Sequence, residues 1–585
     1  MSTDVLDLLA SSPVFGSLGH EELEVLATRF SPISAPGGST LMTEGEAGDG
    51  LYLLTAGRLR AYVSIGEAPS PVGDIGPGEL VGEMALLSDE PRSATVRALR
   101  DSDLLFMSRA DFEDLVASHG AVLMAVTRLL VDRLRDAIRG VRREPAAKTV
   151  AVIPLDPAVD VGGLADALAR DLDDRAIIIA ESAGGSSLPT DLHVVEASHD
   201  LVIYLGNLED EEWTRRCVRQ ADRVLLVADA TADPGQRPIE RILGEIEPSV
   251  APAVDLALVH SRGGFPSGTS RWLEPRNVGR HFHVRADNQN DVSRVARFLT
   301  GKAVGVVFSG GGARGFAHFG VYRALQEAGV PVDAIAGTSF GSAIGVLLAM
   351  DLSYEAAIDS LRRTTVDSGS LIDFTFPAAA LSKGTKISDR LRSELGDIAI
   401  EDLWLPFLCV SSDLTIGEER IHTSGAAWRA VRSSVAIPGI FPPMTSVDGH
   451  VLVDGGVIDN LPVDPMVRTM DVGSVIAIDV RARTDFSAEN LADDGALSGW
   501  QVAFKRLNPF SESMSVPRMV DVLLRSTEVA SADPEAEPDF VFRPPVQDFQ
   551  VLEFKSWEAI TDVGYRHAFE RMEEWEGEGR RLPKG

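Results

Sequence analysis

Residues 304–320 read VGVVFSGGGARGFAHFG. A β-branched apolar run, Val304–Phe308, meets three glycines, an arginine and a fourth glycine. Helical spacing then follows at Ala317, Val321, Leu325 and Ala328, and Gly329 with Pro331 ends it. The pattern is strand, tight turn, helix. Gly310, Gly312 and Gly315 satisfy G-x-G-x-x-G, which in this setting could cradle a dinucleotide pyrophosphate. The same backbone could instead aim its amides at a reacting carbonyl oxygen. Arg314 bears on the choice, because a cation in the first turn of a helix opposes the macrodipole. A dinucleotide loop gains little from it, whereas an oxyanion loop can use it as a brace. An exposed arginine paired with a nearby carboxylate is the plainer alternative.

One βα unit later, VDAIAG runs into GTSFG, Gly337–Gly341. This is a G-x-S-x-G turn, which lifts a serine hydroxyl clear of a strand end. Alone it is a weak signal. Its placement gives it weight: a strand, Ser339, then the small-residue helix FGSAIGVLLAM, in which Gly341, Ala343 and Gly345 permit close packing on a sheet. A nucleophilic serine needs a base. HVLVDGG ends a strand at Asp454, and Gly455 and Gly456 again allow close backbone approach. Histidine is the more familiar partner, but His318, His422 and His450 lie in no motif and read as structural.

GGGARG (310–315), GTSFG (337–341) and DGG (454–456), in this order, resemble the three blocks of the patatin-like phospholipases, and SSVAIPGIFPP (433–443) is also similar to that family. The resemblance implies a dyad of Ser339 as nucleophile and Asp454 as base. It further implies an oxyanion hole built by Gly310, Gly311, Gly312 and Arg314, with no metal and no catalytic cofactor. WTRRCVRQADRVLLV (213–227), HFHVRADNQNDVSRVARFLTG (281–301) and WEAITDVGYRH (557–567) are similar to the neuropathy target esterase subgroup. That subgroup's lysophospholipase activity implies a lysophospholipid or phospholipid substrate. The subgroup's N-terminal membrane anchor has no counterpart in the sequence, so only transient contact with a membrane surface is expected.

A second dense motif is VGEMALLSDEPRSATVRA, Val81–Ala98. A glycine-led turn and short helix would set amides, Glu83 and Arg92 around one small pocket, an arginine suiting a phosphate and a glutamate a ribose hydroxyl. The stretch looks like the phosphate-binding cassette of cyclic-nucleotide-binding domains. By that resemblance Arg92 holds the cyclic phosphate of cAMP or cGMP, Glu83 the ribose 2′-hydroxyl, and Gly82, Ser93 and Ala94 line the phosphate site. A β-roll that binds no nucleotide stays open as the alternative.

Continuous apolar runs such as TVAVIPL, DLVIYLG and RVLLVAD alternate with helical sequence over 148–300, as in a mostly parallel sheet covered on both faces. No G-x-x-x-x-G-K-[ST] loop occurs there, and the region receives no chemistry. The expected fold class is multidomain. An antiparallel β-roll with helices (13–140) precedes the middle α/β domain (148–300), a patatin-like α/β hydrolase domain (303–470) and a C-terminal extension packed on it (471–585). TDFSAENLADDGALSG, within that extension, reads as an acidic flexible loop. The helix after the β-roll, AVLMAVTRLLVDRLRDAIRGVRRE, offers a surface for an oligomer.

The 585 residues carry a net charge of −32, which argues against nucleic acid as a partner. Two distant cysteines, Cys217 and Cys409, give no disulfide framework and point to a reducing compartment. MSTDVLDLLASSPVFGSL is no secretory signal, and AIAGTSFGSAIGVLLAM is too short and interrupted to span a bilayer. A cytoplasmic protein, peripheral to a membrane at most, is expected. Two rivals to the hydrolase remain: a non-catalytic cyclic-nucleotide sensor, and a dinucleotide-binding oxidoreductase using Asp333. The second leaves the serine turn, the DGG block and Arg314 unexplained.

Overall fold

A computed structural model describes residues 5–6, 9–10, 12, 14–65, 68–88, 90–138, 146–172, 175–181, 195–196, 198–247, 250–261, 263–376, 380–481 and 533–584. The acidic stretch TDFSAENLADDGALSG lies outside them. The chain divides into two compact units, Met1–Ala303 with Asp471–Gly473, and Val304–Met470 with Ser474–Gly585.

The first unit contains helix α1 (His20–Arg29) and eight strands: β1 (Ser31–Ala35), β2 (Thr40–Met42), β3 (Gly50–Ala56), β4 (Leu59–Ile65), β5 (Ala68–Ile75), β6 (Leu80–Val81), β7 (Thr95–Ala98) and β8 (Ser102–Ser108). They pair antiparallel in two four-stranded sheets, β1-β8-β3-β6 and β2-β7-β4-β5. Short strands with turn glycines at positive φ (Gly45, Gly57, Gly78) produce this roll. Helix α2 (Glu83–Leu87) sits between β6 and β7, and α3 (Arg109–Ser118) and α4 (Gly120–Ile138) follow β8.

The middle region of the same unit has strands β9 (Thr149–Pro154), β10 (Ala176–Ala180), β11 (Leu201–Leu205), β12 (Arg223–Asp229), β13 (Ala253–His260) and β14 (Arg280–Arg285). They form one parallel sheet, β10-β11-β9-β12-β13-β14. Helix α5 (Val161–Asp171) lies between β9 and β10, α6 (Glu211–Gln220) lies between β11 and β12, and α7 (Gln289–Leu299) follows β14. Strand β9 is buried along its whole length, which is why it reads as an unbroken apolar run.

The second unit is built on strands β15 (Val304–Phe308), β16 (Ala334–Thr338), β17 (Phe407–Asp413), β18 (Glu418–His422), β19 (Met444–Thr445), β20 (Val451–Asp454), β21 (Ser474–Ile478) and β22 (Phe540–Phe542). The path runs β19-β20-β17-β16-β15-β21-β22, with β18 also on β17. Strands β15, β16, β17, β21 and β22 are parallel to their neighbours in this central stretch, while β18 and β20 run against β17. Strands β21 and β22 therefore complete the sheet of the second unit itself, where the sequence reading placed everything after residue 470 as an extension packed upon it. The helices that matter for the site are α8 (Phe316–Glu327), α9 (Phe340–Ala349), α10 (Tyr354–Arg362), α11 (Thr385–Leu395), α12 (Ala427–Ser434), α13 (Val463–Met470) and α14 (Trp557–Gly577). Helix α8 crosses α14 closely through facing glycines. A Cβ on Gly320 would lie 2.0 Å from the Thr561 carbonyl oxygen, and one on Gly564 would lie 2.2 Å from that of Ala317. Among the described residues no single helix is long and apolar enough to cross a membrane.

Candidate active site

Strand β16 ends at Thr338, and the chain turns at once into α9. Ser339 takes the turn with φ 52° and ψ −125°, a conformation that strains a residue with a Cβ and that surrounding structure must hold. Two contacts hold it. The Ser339 amide donates to Ser434 Oγ at 2.9 Å, and a Cβ on Gly337 would lie 2.7 Å from Gly341, so the turn closes only with glycine there. Ser339 Oγ donates to Asp454 Oδ2 at 2.7 Å. Asp454 stands at the end of β20, and its other oxygen accepts the Gly456 amide at 2.9 Å. Burial pushes the Asp454 carboxyl up to about 7, with the bonds from Ser339 and Gly456 pulling the other way.

The three histidines weighed from sequence make their bonds elsewhere. His318 is fully buried, its Nε2 at 2.9 Å from the Ser309 carbonyl, and burial lowers it to about 4. His422 pairs with Ser411 Oγ at 2.8 Å and His450 with Asp413 at 2.6 Å. His318 lies below the glycine loop and steadies the residue that precedes it.

The glycine loop runs beside the serine. A Cβ on Gly310 would lie 2.4 Å from Asn460 Oδ1 and 3.1 Å from Ser339 Cβ, one on Gly311 2.6 Å from Val480 Cγ2, and Gly312 has φ +58°. Each glycine is there for close approach. The Gly310 amide donates to the Asn460 carbonyl at 3.1 Å, and the Ala313 amide to that of Val551 at 2.7 Å. Arg314 Nε donates to the Phe549 carbonyl at 2.8 Å. Arg314 thus ties the loop to residues 549–551. Gly311 and Gly312 open a 3₁₀ turn, Gly312–Gly315, whose first amides have no partner within the turn.

A cavity of about 730 Å³ opens at Gly312 and Ser339. Its wall is mostly apolar, with Leu347, Leu361, Leu391, Ile440 and Phe441 among the lining side chains. Glu394, Arg390 and Ser360 add polar groups to the lining, and Lys555 and Leu552 contribute from the segment before α14. Ser434, Asn460 and the 549–551 segment carried no motif of their own; Ser434 lay in a block similar to the family but had no assigned role.

In the β-roll, Gly82 takes φ 88° before α2, and Glu83 is buried. Arg92 is buried and donates to the Gly82 carbonyl at 2.9 Å and to Asp49 Oδ1 at 2.5 Å. Ser93 is exposed and Ala94 half-buried beside it. The structure brings Gly82, Glu83 and Arg92 to one turn and adds Asp49, which the sequence pattern did not single out. In the middle region the loop after β9, LDPAVDVGG, has no lysine followed by serine or threonine.

Residues 306–467 match the family model described as Patatin-like phospholipase, 32–119 the Cyclic nucleotide-binding domain, and 186–302 the Neuropathy Target Esterase family P-loop like domain. The human Patatin-like phospholipase domain-containing protein 6 is 31% identical over 97% of this chain and 46% of its own length. Lysophospholipase NTE1 of Mycosarcoma maydis is 30% identical over 94% of this chain and 34% of its own. The chain thus spans about half, or less, of the curated relatives it matches. Among solved structures, the regulatory domain of Toxoplasma gondii PKA with cAMP is 29% identical over 20% of this chain and 44% of that one, with a TM-score of 0.19. A patatin-like phospholipase match behind a cyclic nucleotide-binding match and a P-loop like match, with similarity running along nearly the whole chain, makes this protein similar to the neuropathy target esterase type of the patatin-like phospholipases.

Proposed function

We propose that the chain is a serine esterase of lysophospholipase type that hydrolyses fatty-acyl esters of lysophospholipids or phospholipids. The observation that carries this reading is the 2.7 Å bond from Ser339 Oγ to a buried Asp454 at the mouth of an apolar cavity. Ser339 Oγ attacks the ester carbonyl while Asp454 accepts its proton. The amides of Gly311 and Gly312 then stabilise the oxyanion, whereas Gly310 and Arg314, expected in the same hole, spend their donors on Asn460 and Phe549 and hold the loop. Collapse of the tetrahedral intermediate expels the glyceryl oxygen, which takes the proton from Asp454. Water, deprotonated by Asp454, then releases the fatty acid. One apolar cavity at Ser339 suits one acyl chain at a time, which favours a lysophospholipid.

The test is a fluorophosphonate label together with fatty-acid release from lysophosphatidylcholine and diacyl phosphatidylcholine. The label is expected on Ser339, with release at least about a thousandfold lower in Ser339→Ala. Folded protein that takes no label, or a Ser339→Ala variant that keeps its rate, overturns the reading.

For the cyclic nucleotide-binding domain, cAMP or cGMP is the proposed regulatory ligand. The buried Arg92 at the Gly82 turn, beside a buried Glu83, supports it, since phosphate can replace Asp49 as the partner of the guanidinium. Calorimetry with each nucleotide on the wild type and Arg92→Ala, beside the release assay, tests binding and regulation separately.

A further inference from the structure

Just beyond the cavity lining at Leu371 and Ile372, the chain presents two aromatic rings to solvent. Phe374 is 74% exposed and Phe376 86%, the two most exposed aromatic side chains described. Large rings left this open are uncommon on a soluble surface unless they have a partner. They are also held out by built structure. The Thr375 amide donates to the Leu381 carbonyl at 3.0 Å and the Lys383 amide to that of Asp373 at 2.9 Å, so the rings ride on one arm of a paired ribbon. The return arm is fixed in turn: the amides of Leu381 and Ser382 donate to the carbonyls of Gly439 and Ile440, and Ile440 lines the cavity. The Asp373 carboxylate accepts from the amides of Gly384 (3.0 Å) and Thr385 (3.1 Å) and from Ser382 Oγ, which pins the base of the ribbon to the first turn of α11. Lys383 and Lys386 stand exposed at that base.

We propose that this ribbon is an interfacial anchor: Phe374 and Phe376 enter the acyl region of a phospholipid surface, and Lys383 and Lys386 meet its phosphates. Three features select a lipid surface over other occupants. The ribbon is continuous through Leu371, Ile372 and Ile440 with the cavity that opens at Ser339. Half-exposed Leu552 extends apolar surface at the cavity lining from another segment. Aromatic rings flanked by lysines suit the boundary between headgroups and chains. An anchor here would let a lipid pass from the surface into the cavity without its chain crossing water. The purpose of the anchor rests on the lipid-ester reading, but its test does not.

The experiment sediments the full chain with vesicles of phosphatidylcholine containing one part in four phosphatidylglycerol, using Phe374→Ser/Phe376→Ser and Lys383→Glu/Lys386→Glu. Hydrolysis of a short-chain p-nitrophenyl ester in solution runs in parallel. The ring variant is expected to bind vesicles at least about tenfold more weakly, since each buried aromatic side chain carries that much. Its release of fatty acid from vesicles should fall in step, with the soluble ester turned over within about twofold of wild type. The lysine variant should lose binding to these vesicles and keep its weaker binding to pure phosphatidylcholine. Unchanged vesicle binding in the ring variant overturns the anchor. So does a ring variant that changes only the oligomeric state in gel filtration, which would assign the rings to a second copy. Failure of the esterase reading shows instead as no soluble-ester hydrolysis by wild type, with sedimentation still reporting on the rings.

Discussion

In the proposed dyad Asp454 must be ionised to accept the serine proton, yet burial pushes its carboxyl up to about 7. The kcat/KM for a neutral ester should therefore fall about tenfold per pH unit below that value and level off above it. The sign for stability is opposite. Between the unfolded carboxylate value near 4 and the folded value, the native state binds the extra proton, so stability falls as pH rises through this window. Asp454→Asn removes that penalty and keeps an oxygen for the Gly456 amide. At pH 8 the variant should be more stable than wild type by up to about 4 kcal/mol in urea unfolding, and close to wild type at pH 4.5. It should also be inactive. A variant no more stable at pH 8 than at pH 4.5, relative to wild type, would refute the raised carboxyl. Ser339 and Asp454 could be read from sequence because each sits in a short glycine-marked motif at a strand end. Ser434, which fixes the strained Ser339 amide from 95 residues away, could not, since no local spacing records a bond across the fold.

At the scale of elements, the α8–α14 crossing sets how residues 549–551 meet the glycine loop. Helix α8 starts directly after Gly315, and α14 follows Phe549, whose carbonyl holds Arg314 across 235 residues. Helix α8 was legible from its spacing at Ala317, Val321, Leu325 and Ala328, but its partnership with α14 was not. It depends on Gly320 and Gly564 facing one another, and a single glycine inside a helical pattern looks the same whether it packs or merely weakens the helix. A matched pair of substitutions separates these meanings. Gly564→Ala puts a methyl against the Ala317 backbone and should cost about 1–3 kcal/mol, with a lower kcat as the 549–551 segment shifts. Gly577→Ala, near the end of the same helix and facing open space, should be neutral or stabilising by up to about 1 kcal/mol. Chemical denaturation of both variants checks the difference, and equal effects would remove the crossing as the constraint.

At the scale of the molecule, the β-roll and the middle parallel sheet belong to one compact unit, although their sequences read as two domains. Buried charges explain the union. Arg100, two residues after β7, donates from Nε to Asp222 at 2.7 Å and from both terminal nitrogens to Glu196 at 2.8 and 3.1 Å. Arg58 lies between Asp74 of the roll and Asp222, at 3.3 and 3.8 Å. All five side chains are at most 8% exposed. Burial works against the charge on Arg100, and Asp222 with Glu196 outweighs it, so its pKa is raised; Asp222 is lowered in turn by Arg100 and Arg58 against its own burial. Such a cluster adds little over apolar packing while complete, but losing one member strands the others. Arg100→Ala should therefore destabilise the first unit by about 3–5 kcal/mol, and Arg100→Lys by less because the charge is kept without the two-pronged geometry. Scanning calorimetry should show one early transition moved down by Arg100→Ala, while heat inactivation of the esterase keeps its wild-type midpoint. If the β-roll and the middle sheet instead melt separately in the wild type, the cluster does not join them.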